Sequence, residues 1–335
     1  MTLKNMKKTY YCIALICISL YGNLKAQDKL AQTGLQFLEI GVSPRAEAMG
    51  GAFVVTGNNS DAIFYNQAGL SNINTKIDAT FSRVQWFADI AYNALGITYK
   101  PSNGNYGVIG LSFQSADYGD FYGTRVAAGT AAGYEDTGIF SPTTFIFGLS
   151  YAKQLNDRFS IGGQVKYVTQ NLGSNVLTFG GPIEENNVSG LVFDFGMIYS
   201  TSFKGFDFGM SIKNFSTDFK FEEFAFEAPL TFRMGVLLNV MEILKINPTG
   251  QNILLSVDAI HPRDFGEHLN IGLEYKLYDF VSFRGGYKFN YSEESFTAGI
   301  GLEQKISELD LRIDYSYGAF GIWSNVQRFS IGFSF

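Results

Sequence analysis

Cysteine is nearly absent: Cys12 and Cys17 are the chain's two, and both fall within its first 26 residues. That stretch has Lys4, Lys7 and Lys8 ahead of a short apolar run, Tyr11 to Leu20, and ends on Leu24-Lys25-Ala26. It reads as a secretory signal peptide cleaved after Ala26. The mature chain is then expected to hold no disulfide, no thiol nucleophile and no thiolate metal site. Histidine is as scarce, with only His261 and His268. They flank Asp264 and Glu267, but the spacing fits no helical or strand ligand pair, and the run reads as a polar loop. No Gly-x-Ser-x-Gly elbow, phosphate-cradling loop or Cys/His pair occurs, so no enzyme chemistry, metal or cofactor is expected. Past the leader no run approaches ~18 apolar residues, which excludes a spanning helix. Positive charge is also lacking. Acids number 31 against 25 bases, and four of the lysines lie in the leader. Nucleic acid and anionic lipid surfaces are poor partners for such a chain.

Aromatics and glycine are abundant instead: 32 Phe, 19 Tyr and 37 Gly. The aromatics recur at every second position. In Arg328-Phe329-Ser330-Ile331-Gly332-Phe333-Ser334-Phe335 the odd-numbered side chains are apolar and the even-numbered ones polar or absent. That is a period-2 strand with one greasy face. A bare strand of this kind would be a sticky edge in water. It is satisfied where its apolar face meets lipid and its edge pairs with the first strand of a closed barrel. A final strand ending in an aromatic residue resembles the targeting signal of bacterial outer-membrane barrels.

The same alternation predicts thirteen earlier strands. They run 76–86, 90–100, 106–115, 143–153, 158–170, 190–200, 205–214, 230–239, 252–261, 268–276, 280–289, 296–304 and 309–317. Each is about the ~9–11 residues that a tilted strand needs to cross the hydrocarbon. Short connections, Pro101–Gly104, Asn156-Asp157, Phe203-Lys204, Tyr278-Asp279 and Ile306-Ser307, alternate with longer ones at 116–142, 171–188, 215–229 and 318–325. Short turns on one rim and long loops on the other mark an outer-membrane barrel. Tyr99, Tyr151, Tyr199 and Tyr275 fall together near the short-turn rim, as an aromatic girdle would. The fold class is therefore all-β: a transmembrane antiparallel barrel of about fourteen strands. Residues 1–26 are the leader, 27–75 an N-terminal plug and 76–335 the barrel, located in the outer membrane.

The plug is expected to be helical in two places. Ser43 caps a helix with Pro44 at its first position and Gly50-Gly51 at its end. Ser60 caps a second that stops near Gly69. By parity, Lys166, Asp194, Lys213, Arg233, Asp258, Glu274, Arg284, Lys288, Glu303, Asp310, Arg312 and Asp314 face the lumen. Interleaved signs suit a salt-bridged interior better than a selectivity lining, and oppose an apolar acyl channel. Partner contacts are expected on the loops: Tyr118, Phe121, Tyr122 and Tyr134 in one, Phe219, Phe221, Phe224 and Phe226 in another. The second set is interspersed with Asp218, Glu222, Glu223 and Glu227. Aromatics beside acids form a protein-contact surface, a loop folded over the barrel mouth, or a simple extension of two strands, and the first loop either contacts a partner or plugs the pore.

Three N-terminal motifs, Thr33-Gly34-Leu35-Gln36-Phe37-Leu38, Pro44 to Ala52 (PRAEAMGGA) and Asp61 to Leu70 (DAIFYNQAGL), resemble the PorV/PorQ family, itself related to the long-chain fatty-acid transporter barrels. Gln67 stands where the relatives carry proline, which restores a backbone N–H. The resemblance implies a non-enzymatic barrel serving type IX secretion, with secreted cargo or other outer-membrane subunits as partners. It implies binding and escorting of cargo, or scaffolding of a secretion complex. The alternative is a transporter of hydrophobic small molecules.

Overall fold

The computed structural model describes residues 33–127, 129–175, 184–221, 224–246, 250–323 and 325–335. The leader expected at 1–26 lies outside them. The strands, in chain order, are β1 (Ile77–Gln85), β2 (Ala91–Tyr99), β3 (Val108–Asp117), β4 (Phe121–Val126), β5 (Tyr134–Phe140), β6 (Thr143–Asn156), β7 (Phe159–Asn175), β8 (Glu184–Ser200) and β9 (Phe206–Ser216). There follow β10 (Phe219–Phe221), β11 (Phe224–Phe226), β12 (Thr231–Asn239), β13 (Gln251–Pro262), β14 (His268–Leu277), β15 (Val281–Phe289), β16 (Glu294–Ile306), β17 (Leu309–Phe320) and β18 (Asn325–Ser334). Fourteen of them close an antiparallel barrel, and β4–β5 and β10–β11 stand apart as two hairpins.

The wall meets itself at β1 and β18. Phe81 pairs with Ile331 and Ala79 with Phe333. Beyond the last ladder rung, Ile77 N–H donates to Phe335 O at 2.8 Å and Phe335 N–H to Ile77 O at 3.0 Å. No hydrogen-bonding edge of the wall is left open at this seam, which is what hydrocarbon demands. Burial alternates most cleanly in β6, where Phe145, Phe147, Leu149 and Tyr151 point out and Ile146 and Ser150 point in. The outer face is a band of exposed apolar side chains. Tyr99, Tyr151 and Tyr199 stand on it near the short-turn rim, with Tyr275 half-buried beside Gln251.

All fourteen expected wall strands form. Two of the expected loops carry the hairpins. The loop expected at 171–188 is partly strand, since β7 and β8 continue past the hydrocarbon through Asn175 and from Glu184. Apolar alternation is imposed by lipid and fades at the membrane edge, whereas a ladder in water needs only backbone pairing. One short-rim connection, between β12 and β13, carries a helical turn, Val240–Ile243, capped by Asn239.

The segment before β1 lies inside the barrel. Helix Pro44–Ala48 begins where the sequence places it, with Ser43 Oγ accepting from Ala46 N–H. Gly50 and Gly51, at φ 67° and 74°, turn the chain away. The second expected helix is instead two 3₁₀ turns, Ser60–Phe64 and Gln67–Asn72. Asn59, not Ser60, caps the first, and Asn66 Oδ1 accepts from Ala68 N–H at 3.1 Å to start the second. An Asx cap in mid-segment breaks the run that composition alone would make continuous.

Candidate functional site

The lumen is filled by this plug. Met49, Ile63, Leu70 and Ala46 are fully buried there. Room for them comes from glycines on the inner face of the wall. A Cβ on Gly286 would strike the backbone of Met49 and Gly50, and one on Gly162 the backbone of Gln67. The glycine abundance of the sequence thus serves close approach of two backbones.

Buried ion pairs then fix the plug in register. Arg45 donates to both carboxylate oxygens of Glu274 at 2.9 Å, a bidentate fork. Arg284 bridges the same Glu274 at 2.6 Å to Asp314 at 2.5 Å. Arg312 holds Asp78 at 2.7 Å. Glu47 receives Lys288 at 2.9 Å and faces Arg328 at 3.7 Å. Asp258 accepts from the backbone N–H groups of Phe53 and Val54 at 2.8 and 3.0 Å. Lys166 pairs with Asp194 at 2.8 Å, and Lys276 with Glu303 at 2.7 Å near the short-turn mouth. Asp310 is half-buried on that mouth, and Lys213 lies over the Tyr65 ring. Each expected lumen residue faces inward. Arg233 faces Glu39 at 3.4 Å. Burying charges at this density is tolerable because most of them meet an opposite charge or a hydrogen-bond donor.

Sequence parity missed the plug's side of this network. Glu39, Arg45 and Glu47 belong to no strand, so alternation could not place them. Asn214 was missed for another reason. It sits in a bulge of β9 at φ 62°, a conformation asparagine tolerates. There its N–H donates to Asp194 at 2.8 Å, its amide to Glu39 at 2.6 Å, and its oxygen accepts from Lys166 at 2.6 Å. Gln67 donates to Ile63 O at 2.8 Å and is wholly buried.

Two plug carboxyls are pushed in opposite directions. Burial alone would raise Glu47, but Lys288 and Arg328 override it and hold the group at about 2. Burial, reinforced by Asp314, pushes Asp61 up to about 6. Ser43 Oγ at 2.9 Å and Arg312 only partly offset that rise.

The loop aromatics divide. In the β10–β11 hairpin, Phe219 is buried, Phe226 stacks on both Phe219 and Phe221 over the plug, and Phe224 points to solvent. Gly34 N–H donates to Glu227 O at 3.0 Å, tying plug to hairpin. This loop folds over the mouth, and Glu222 and Glu223 lie outside the described residues. In the other loop, Phe121, Tyr122 and Tyr134 are exposed on β4–β5, while Tyr118 packs inward at its base. His261 faces Glu267 at 3.4 Å, and His268 stacks on Tyr291 at 3.9 Å. Asp264 instead accepts from Thr33 and Gln36.

Among the hollows of the described residues, two flank the plug, one at each mouth. That on the short-turn side, about 250 Å³, is lined by Arg45, Asp78, Glu274, Arg284 and Arg312. That on the long-loop side, about 760 Å³, lies between the plug's Glu39 and Glu47, the loops carrying Phe265 and Tyr291, and Phe320 at the end of β17. They share no lining residue, because the plug separates them.

The barrel resembles solved outer-membrane channels in fold alone. The toluene transporter TbuX of Ralstonia pickettii is 11% identical, with a TM-score of 0.54 over 88% of this chain and 97% of that one. The CymD monoaromatic hydrocarbon channel is 12% identical, with a TM-score of 0.55 over 88% of this chain and 98% of that one. The toluene transporter TodX of Pseudomonas putida is 12% identical, with a TM-score of 0.52 over 86% and 95%. No curated protein matches the chain. A family model described as type IX secretion system membrane protein PorP/SprF matches residues 112–335. The match leaves out the N-terminal motifs that suggest PorV/PorQ, and that narrower placement gains no support from it. With two-thirds of its length matched, from within β3 through β18, the chain belongs to the PorP/SprF family of type IX secretion system membrane proteins.

Proposed function

We propose that this barrel works by binding protein, as an escort for exported cargo or a scaffold for other secretion subunits, and not as a conduit. The observation that carries this reading is the pinned plug: a lumen crossed by buried ion pairs and packed backbone has no room for a passenger. What is left to act is the outer surface. The β4–β5 hairpin supports the reading, since it projects Phe121, Tyr122 and Tyr134 into solvent with no wall strand beside it. Exposed aromatics in such number mark an interaction surface. The finer form, a PorV/PorQ-like carrier of secreted cargo, rests on the N-terminal motifs.

Transport of hydrophobic molecules, the activity in the names of the similar structures, is opposed by the charged interior. Affinity purification from detergent-solubilised outer membranes tests the choice. The intact protein should bring down secretion subunits or cargo, and deletion of residues 119–141 should abolish that recovery while the barrel still folds. Loss of uptake of a monoaromatic hydrocarbon in a deletion strain, with secretion unchanged, would reverse the assignment.

A further inference from the structure

Strands β4 and β5 make a sheet of two strands whose faces differ. The ladder sets Tyr122 opposite Ile139 and Val126 opposite Tyr134, so these four side chains share one face. All four are exposed, Tyr122 at 85% and Val126 at 76%. The opposite face is occupied. Phe121 stacks on Phe140 at 5.7 Å, Arg125 pairs with Glu135, and Phe140 lies so close over Gly173 of β7 that a Cβ there would meet its ring.

One edge of the hairpin is open as well. Ala127 N–H donates to Gly133 O at 3.0 Å, and antiparallel pairing alternates from there along β4. Tyr122, Thr124 and Val126 therefore turn their N–H and C=O groups away from β5, and no wall strand lies beside β4 to receive them. The β5 edge is partly used, since Thr130 Oγ1 donates to Tyr134 O at 3.0 Å. A two-stranded sheet with an apolar face and an open edge is one strand short of a stable unit. Only an extended chain satisfies edge and face together, because a helix on that face would leave the β4 backbone groups unmet.

Charge selects which chain it is. Asp136 stands in the middle of the apolar face, opposite Thr124 and not a base. Asp117 and Asp120 flank the foot of the hairpin, and Arg125, the single base between 117 and 141, is taken by Glu135. Two such hairpins laid edge to edge would set acid against acid, which opposes a second copy of this chain as the occupant.

We infer that β4 receives an extended, basic segment of another protein as a third strand, its apolar side chains beside Tyr122 and Val126 and a cation near Asp136. The proposal rests on the partner-binding reading and specifies how that contact is made. Fluorescence anisotropy of labelled twelve-residue peptides, titrated with the whole barrel in detergent, tests it. The probes are an alternating lysine–valine peptide, its fully N-methylated form, an alternating glutamate–valine peptide, and a lysine–leucine peptide of helical spacing. The first should bind saturably and at least tenfold more tightly than the other three. Thr124→Pro removes an outward N–H at an edge position that tolerates proline, and should weaken binding roughly tenfold. Tyr122→Ser should weaken it several-fold, and decides alone if the proline disturbs the hairpin. Asp136→Lys should move the preference to the glutamate peptide. The proposal is overturned if the lysine–valine peptide does not saturate by roughly 1 mM, or if the methylated or helical probe binds as tightly. It is equally overturned if Tyr122→Ser binds as the wild type does, or if the barrel is itself a dimer that Thr124→Pro separates. Such a failure, with partner recovery still lost on deletion of residues 119–141, would overturn strand addition alone. Recovery unchanged by that deletion would overturn the partner-binding role of the hairpin itself.

Discussion

Glu47 and Asp61 sit in one plug yet answer acid in opposite senses. Glu47 is held near 2 against an ordinary 4.5, so its contribution is complete above pH 4.5 and is lost as pH falls from there towards 2. Asp61 lies near 6 against an ordinary 3.8, so its charge is a burden above pH 6 that protonation lifts between 6 and 3.8. Stability of the folded barrel should therefore rise modestly from pH 7 to about 5 and fall below about 4.5. Asp61→Asn should flatten the first limb. Glu47→Gln should remove the second and cost about 3 kcal/mol at neutral pH, by leaving Lys288 and Arg328 short of a partner. Thermal unfolding in detergent across this pH range, followed by circular dichroism, checks both. A wild-type profile that falls steadily from pH 7 would contradict the assignment of Asp61.

The β10–β11 hairpin shows what an element's pattern can conceal. Phe219, Phe221, Phe224 and Phe226 recur in two short pairs around Glu222 and Glu223, and from spacing alone a mouth cover and a contact surface look the same. The structure separates them through Thr33–Gly34, whose pairing with Glu227 draws the hairpin down. Burial then sets the cost of truncation. Phe219→Ala should lower stability by about 3 kcal/mol, whereas Phe224→Ala, at 84% exposure, should change it by less than about 0.5 kcal/mol. Urea titration of the two variants, followed by tyrosine and tryptophan emission, measures the difference. Equal effects would mean that the hairpin does not cover the plug. The wall strands were legible because lipid imposes an apolar side chain at every second position along most of their length. The plug was legible only as capped turns, since its contacts are made to strands far along the chain. Asn66 as a mid-segment cap and Asn214 as a bulge hub depend on such contacts and leave no periodic trace.

At the scale of the whole molecule, fourteen strands would enclose a pore if nothing occupied them. Here the inner face carries glycines where backbones meet and charges where the plug supplies the opposite sign. The protein reconstituted into planar bilayers should accordingly carry no resolvable ionic current at neutral pH. Stable current steps from the wild-type protein would show that the plug leaves a passage. The lumen charges named by parity from the sequence do face inward. What parity could not supply was their other halves, Arg45, Glu47 and Glu39, and with them the difference between a lining and a lock.

The seam between β1 and β18 bears on how such an object is made. The plug leads directly into β1, and its far end is stitched under the β10–β11 hairpin, so the contents are anchored at both mouths. A cylinder secured in this way cannot be loaded once complete. Its staves have to be wound about an interior already in position, with the join drawn shut last.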